Sequence, residues 1–220
     1  MKELYFTSEN IEFKTDAFLE TIREIHTIKK IDINLNNSAL LVLDMQKYFF
    51  QPSSHAYIPS APAVIAPIKK LIELYKQKSK PVIYTRHVNT PEDAKNMNIW
   101  WKNLILEQQQ ESEIIEDILI TNPVVIKKTQ YDAFYQTELL PCLNRQKITD
   151  IVITGVMTHL CVETTARSAF MRGFKVIITA DGTATYNSTY HLSSLINLSH
   201  GFATVLKTSE CVERLKKFNG

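Results

Sequence analysis

The sequence predicts an α/β protein, a three-layer α/β/α Rossmann-like fold around a mostly parallel sheet of about six strands. Short apolar β-branched runs such as Ile151-Val152-Ile153 and Val176-Ile177-Ile178 read as strands covered on both faces. Between them Val162, Ala166, Ala169 and Phe170 recur at helical spacing, and Gly173 stands where a C-terminal cap belongs, which makes a βαβ unit. The 220 residues carry no internal repeat and no linker, so one well-buried domain accommodates them.

In chain order, residues 1–37 hold a weakly amphipathic segment, Phe18 to Ile28, ahead of the polar stretch Asn34 to Ser38. They are expected to form an N-terminal arm, packed on the domain or on a partner subunit, before a domain spanning 38–220. Ala39 to Leu43 is the first strand. Asp44 closes it, a costly place for a carboxylate unless it is paired or used. Tyr48 to Phe50 then supply an apolar pocket floor, and His55, in a Pro- and Ser-rich loop, reads as a surface residue.

Val64, Ile68, Leu71, Ile72 and Tyr75 mark a helix face, and Pro81 to Thr85 the second strand. Ligands of open α/β sheets collect beyond the carboxyl ends of the strands, so His87 there is either a substrate contact or a solvated loop histidine. The polar loop Asn89 to Asn98 delivers Trp100 and Trp101, as anchors of a core or subunit interface or as a lid. Glu107 to Glu116 reads as a solvated helix. Val124 to Ile126 is the next buried strand, followed by Lys127 and Lys128, of which only one can point inward. Gln136 to Asn144 is a short helix. Beyond the central unit, Asp181 to Thr185 reads as a turn. Tyr190, Leu192, Leu195, Ile196 and Leu198 then form a helix, with His191 and His200 structural or superficial, and Ala203 to Leu206 is the last strand.

The stretch Thr149 to Thr185 organises the chain. Its helix is expected to start near Thr158 to Cys161 with Thr158 as N-cap. Cys161 would then lie in the first turn, where free N–H groups and the helix dipole favour a thiolate; the bland reading is a small buried hydrophobe.

Composition narrows the partners. Lys plus Arg number 25 and Asp plus Glu 23, and a balance of +2 gives no basic field for nucleic acid, which leaves a small molecule as the expected partner. No apolar run approaches the about 18 residues that span a bilayer, and no signal-like h-region occurs, so a soluble cytoplasmic protein is expected, without membrane association. Three scattered cysteines make neither a disulfide framework nor a CxxC metal site.

Gly155-Val156-Met157-Thr158-His159-Leu160-Cys161-Val162-Glu163-Thr164-Thr165-Ala166 resembles the nucleophile segment of the isochorismatase-like cysteine hydrolases, which include nicotinamidases and N-carbamoylsarcosine amidohydrolase. Leu43-Asp44-Met45-Gln46 and Lys128-Thr129-Gln130-Tyr131-Asp132-Ala133-Phe134 resemble two further motifs of that family, in the right order; the resemblance spans roughly residues 38 to 208. It implies Asp44, Lys128 and Cys161 as catalytic triad, a cis peptide between Val156 and Met157, and an oxyanion hole from the N–H groups of Met157 and Cys161. Gln46, Phe50, His87, Trp100, Trp101 and Tyr131 are the substrate-pocket candidates. Asp132 departs from the serine that many relatives carry. The Asp-x-His pair that holds a metal in some nicotinamidases has no counterpart here, so neither metal nor other cofactor is expected. The implied chemistry is hydrolysis of an amide or ureido C–N bond by a homo-oligomer, dimer or tetramer. Isochorismatase-type vinyl-ether cleavage is the alternative, although isochorismatases typically have glycine at the position of Cys161; a non-catalytic binding protein of the same fold is the other.

Overall fold

The computed structural model describes residues 1–101 and 103–217; the end of the expected 38–220 domain, residues 218–220, lies outside them. The elements are α1 (Ile11–Ile25), β1 (Ser38–Leu43), α2 (Lys47–Phe50), α3 (Ile65–Gln77), β2 (Val82–His87), α4 (Asn96–Trp101) and β3 (Val124–Lys128). After these come α5 (Leu139–Arg145), β4 (Asp150–Val156), α6 (Glu163–Met171), β5 (Lys175–Ala184), α7 (Ser188–Gly201), β6 (Thr204–Leu206) and α8 (Thr208–Lys217). The six strands form one parallel sheet in the order β3-β2-β1-β4-β5-β6. The chain order therefore reverses beside β1, and all carboxyl ends share one edge.

Period-two alternation sends each strand's side chains into two cores. Leu40 and Val42 of β1 join Val152 and Val156 of β4 under α3 and α8, while Ala39, Leu41 and Leu43 join Ile151 and Ile153 on the side of α5, α6 and α7. Residues 1–37 belong to both layers: Tyr5, Phe6 and Ile11 are buried in the first core, and Leu19 and Ile22 in the second. The helix of this segment runs Ile11–Ile25, earlier than the stretch Phe18 to Ile28 that the pattern marked.

Four expectations are corrected. β3 is not buried throughout: it is an edge strand, and Val124 and Val125 are 44% and 37% exposed while Ile126 and Lys128 turn inward. Asp181 to Ala184 does not turn but continues β5, past a register shift in its pairing with β4 between Ile153 and Gly155. Within it Gly182 packs so tightly that a Cβ would lie 2.1 Å from Thr179 Oγ1, and the Asp181 carboxylate accepts hydrogen bonds from the Thr208 N–H (2.7 Å) and hydroxyl (2.8 Å) at the start of α8. Residues 107–116 are not a solvated helix; they carry short 3-10 turns, bury Ser112, Ile114 and Ile115, and bridge Ile114 to Gln46. Thr158 is not the N-cap of the nucleophile helix. The segment enters it through a π-helical turn, Thr158–Val162, and the Thr158 hydroxyl is paired with buried His191 (2.9 Å to Nδ1).

Candidate active site

β1 ends abruptly because Asp44 adopts the left-handed region, φ 49°, which takes its side chain off the sheet's alternation. Opposite Leu43, Gly155 of β4 has φ 109°, and a Cβ there would stand 2.1 Å from the Leu43 carbonyl oxygen, so only glycine lets the two strand ends close. The Asp44 carboxylate is held by Thr85 of β2, whose hydroxyl donates to Oδ1 at 2.6 Å and accepts from the Asp44 N–H at 3.1 Å.

Lys128 is the last residue of β3, and its inward phase carries its ammonium under the sheet's carboxyl edge. Its Nζ lies 2.7 Å from Asp44 Oδ2 and 3.3 Å from Cys161 Sγ, and donates to the Gln130 carbonyl at 3.0 Å. Lys127, one residue earlier, is exposed and paired with Glu107. Cys161 sits in the π-helical turn after β4, just past the Val156–Met157 peptide, which is cis. The structure thus brings Asp44, Lys128 and Cys161 together from three strand ends, all buried.

Electrostatics in this enclosure differ from the thiolate expected at a helix start. Burial pushes the Cys161 thiol up to about 12 against the pull of Lys128, and the neighbouring Asp44 pushes it further the same way. Burial also works against the Lys128 ammonium, but Asp44 and Cys161 beside it hold its pKa above the ordinary lysine value. At rest the site is an ion pair beside a protonated thiol.

Cys161 opens on a pocket with about 530 Å³ of empty volume, its mouth included, lined by Tyr48, Phe49, His55, His87, Asn89, Trp101, Tyr131, Met157, Leu160 and Tyr186 among others. Of the candidates named from sequence, His87, Trp101 and Tyr131 line it, and the Trp101 indole N–H donates to Tyr131 Oη at 2.6 Å. Gln46, Phe50 and Trp100 do not. Gln46 is buried behind the wall, where its amide accepts from the His87 N–H (2.8 Å) and donates to the His87 carbonyl (2.9 Å) and that of Ser112 (2.8 Å). Phe50 packs against the first core, and Trp100 is 76% exposed. Asp132 also faces away, capping its own turn at the Phe134 N–H (2.8 Å) and accepting from the Ser168 hydroxyl (2.6 Å).

Several wall residues were not singled out. His55, read as superficial, is bonded through Nδ1 to Tyr48 Oη (2.8 Å). Tyr186 follows β5 and is anchored by the N-terminal segment, its carbonyl accepting from the Glu3 N–H at 2.7 Å. Asn89 lies two residues past β2, and its polar side chain at a strand end was the one signal that could have flagged it. Among the described residues no three His, Cys, Asp or Glu side chains gather as a metal site.

A parallel doubly wound sheet with an aromatic-lined pocket and a thiol, carboxylate and ammonium at its carboxyl edge is the layout of a hydrolase. The Isochorismatase domain model matches residues 38–210, and the chain belongs to that family of hydrolases. It is 37% identical over 180 residues to Nicotinamidase 3 of Arabidopsis thaliana, covering 80% of this chain and 87% of that protein. A cysteine hydrolase from Pseudomonas syringae pv. phaseolicola 1448A superposes with a TM-score of 0.83 at 26% identity, covering 87% of this chain and 98% of that one. N-carbamoylsarcosine amidase from Thermoplasma acidophilum superposes with a TM-score of 0.69 at 26% identity, covering 78% and 96% of the two chains.

Proposed function

We propose that this protein hydrolyses the C–N bond of a small primary amide or ureido compound through a thioester on Cys161, with Asp44 as proton carrier and Lys128 as electrostatic partner. The observation that carries this is the buried Lys128 ammonium between the Asp44 carboxylate (2.7 Å) and the sulfur of Cys161 (3.3 Å), the member of the three that lines the pocket. Charge arithmetic favours one order of events. Losing the thiol proton to solvent would leave the buried site with one net negative charge, whereas passing it to Asp44 keeps the sum at zero. Cys161 then attacks the carbonyl carbon as its proton moves to Asp44.

The Met157 and Cys161 N–H groups hold the developing oxyanion. Asp44, now a carboxylic acid, protonates the leaving nitrogen, and ammonia departs as the C–N bond breaks. A water attacks the thioester, giving its proton to Asp44; the C–S bond breaks, and the thiol regains that proton as the carboxylic acid product leaves. Tyr48, Phe49, Trp101, Tyr131 and Tyr186 surround the acyl group with flat apolar faces, which suits a planar unsaturated carboxamide of the size of nicotinamide. Likeness to a nicotinamidase and an amidase supports the same substrate class.

The test is ammonia release from purified protein given nicotinamide, benzamide, aliphatic primary amides and ureido acids, with isochorismate as a separate assay. Planar primary carboxamides are expected to turn over best. Turnover of isochorismate with no ammonia from any amide or ureido compound would replace this reading by vinyl-ether hydrolysis.

A further inference from the structure

We propose that His87 reads the substrate's N–H: its Nδ1 lone pair, held in place by Asn89 and Asp93, accepts a hydrogen bond from the scissile amide and so selects amides over esters. The inference rests on the amide-hydrolase reading above. It begins at Asn89, which is 3% exposed. The Asn89 side-chain NH2 donates to Asp93 Oδ1 and to the Thr129 carbonyl, both at 3.0 Å. Both partners are acceptors only, so the amide cannot be turned round, and the atom facing His87 Nε2 at 2.9 Å is the Asn89 oxygen. An oxygen there requires a proton on Nε2. Burial and the nearby Lys128 hold the imidazole neutral, with a pKa lowered to about 4. A neutral ring protonated on Nε2 carries its lone pair on Nδ1.

That lone pair has one neighbour, Lys128 Nζ, in a long contact of 3.4 Å. Two of the ammonium's protons go to closer oxygen acceptors, Asp44 Oδ2 at 2.7 Å and the Gln130 carbonyl at 3.0 Å, and the third is shared between His87 Nδ1 and the weakly accepting Cys161 thiol at 3.3 Å. As sulfur gains charge during attack, it claims that third proton and His87 is left unsatisfied. His87 and Cys161 line the same pocket. The backbone clamp from Gln46 on both the N–H and the carbonyl of His87 fixes where the ring stands. A buried acceptor without a donor discriminates against ligands that bring none, because it stays unpaired in their complex. A primary amide brings an N–H and an ester does not.

The measurement is the ratio of kcat/KM for a primary carboxamide to that for its methyl ester, nicotinamide and methyl nicotinate, in the wild type, His87→Leu and His87→Asn. Leucine offers no acceptor and is expected to lower the amide-to-ester ratio at least tenfold. Asparagine, whose side-chain oxygen sits near the place of Nδ1, should recover a substantial part of it. A ratio unchanged in His87→Leu would overturn the proposal, as would an asparagine variant no better than leucine. Imidazole ¹⁵N shifts of the wild-type protein give a second reading that does not depend on any variant folding: a protonated Nε2 and bare Nδ1 are expected, and a protonated Nδ1 contradicts the assignment. Absence of all amide turnover in the wild type, with the tautomer as stated, would instead count against the amide-hydrolase reading.

Discussion

Lys127 and Lys128 are chemically identical neighbours separated by one residue of strand alternation. Lys128 is buried against Asp44, and Lys127 lies on the exposed side with Glu107. Removing one member of a buried ion pair leaves the other charge uncompensated, at a cost of about 3–5 kcal/mol. Lys128→Ala is therefore expected to destabilise by that order in urea denaturation and to lower kcat/KM more than a thousandfold. Lys127→Ala should leave both nearly unchanged. A kinetic comparison in the reverse order would mean that the lysine facing the sulfur has been misassigned. The two lysines show what is legible at this scale. The inward phase of β3 follows from alternation, and Asp44 draws attention because a carboxylate ends an apolar strand. His55, Asn89 and Tyr186 were harder to see, since the pocket wall is assembled from loops whose spatial neighbours are dozens of residues away in sequence. The raised pKa of the Cys161 thiol was missed for a related reason: the helix-start argument counts backbone dipoles but not the desolvation of a buried sulfur.

Among the elements, the joint between β1 and β4 positions the chemistry. Gly155→Ala would place a Cβ 2.1 Å from the Leu43 carbonyl oxygen at a φ of 109°, so the strand ends must separate just where Asp44 departs. The expected outcome is a loss of about 3 kcal/mol or more in chemical denaturation, with activity falling further than stability alone explains. A variant as stable and active as the wild type would show that this close approach does not set the position of Asp44. The strands and most helices were readable because their patterns are strong: apolar β-branched runs at regular intervals, with helical faces between. Two segments were misread for opposite reasons. Asp181-Gly182-Thr183 has turn composition, but its residues are consumed by a β5 irregularity and by capping α8. Residues 107–116 are rich in Glu and Gln, yet Ser112 and Ile114 are buried because the segment lies over the sheet's carboxyl edge beside Gln46.

At the scale of the whole molecule, three histidines are folded in as neutral groups. Burial lowers His191 to about 3 and His159 to about 4, and burial with Lys128 lowers His87 to about 4, against about 6.5 in an unfolded chain. With folded values below unfolded ones, the unfolded state binds more protons as acid is added. The stability tied to neutral histidine is whole above about pH 6.5 and is lost as pH falls toward the folded values. Three such groups give a slope of up to about 4 kcal/mol per pH unit between about pH 6 and 4. Urea midpoints measured from pH 7 to 4 should fall steeply below pH 6, and His191→Leu should flatten the curve; a level profile would mean that these rings are hydrated in the folded protein. The N-terminal residues belong to this account, because Tyr5, Phe6 and Phe18 surround His191 with ring centroids 5.3–5.4 Å away.

The central claim is that Cys161 carries the acyl group. Acid-quenching the protein during turnover of a slow amide substrate and weighing it intact tests this directly. The account predicts an added mass equal to the acyl group, removable by hydroxylamine, located by peptide mapping on Cys161 and not on Cys142 or Cys211, and absent from a Cys161→Ala protein that releases no ammonia. Ammonia release by that variant at a rate near the wild type, or an acyl group found on another residue, would contradict it.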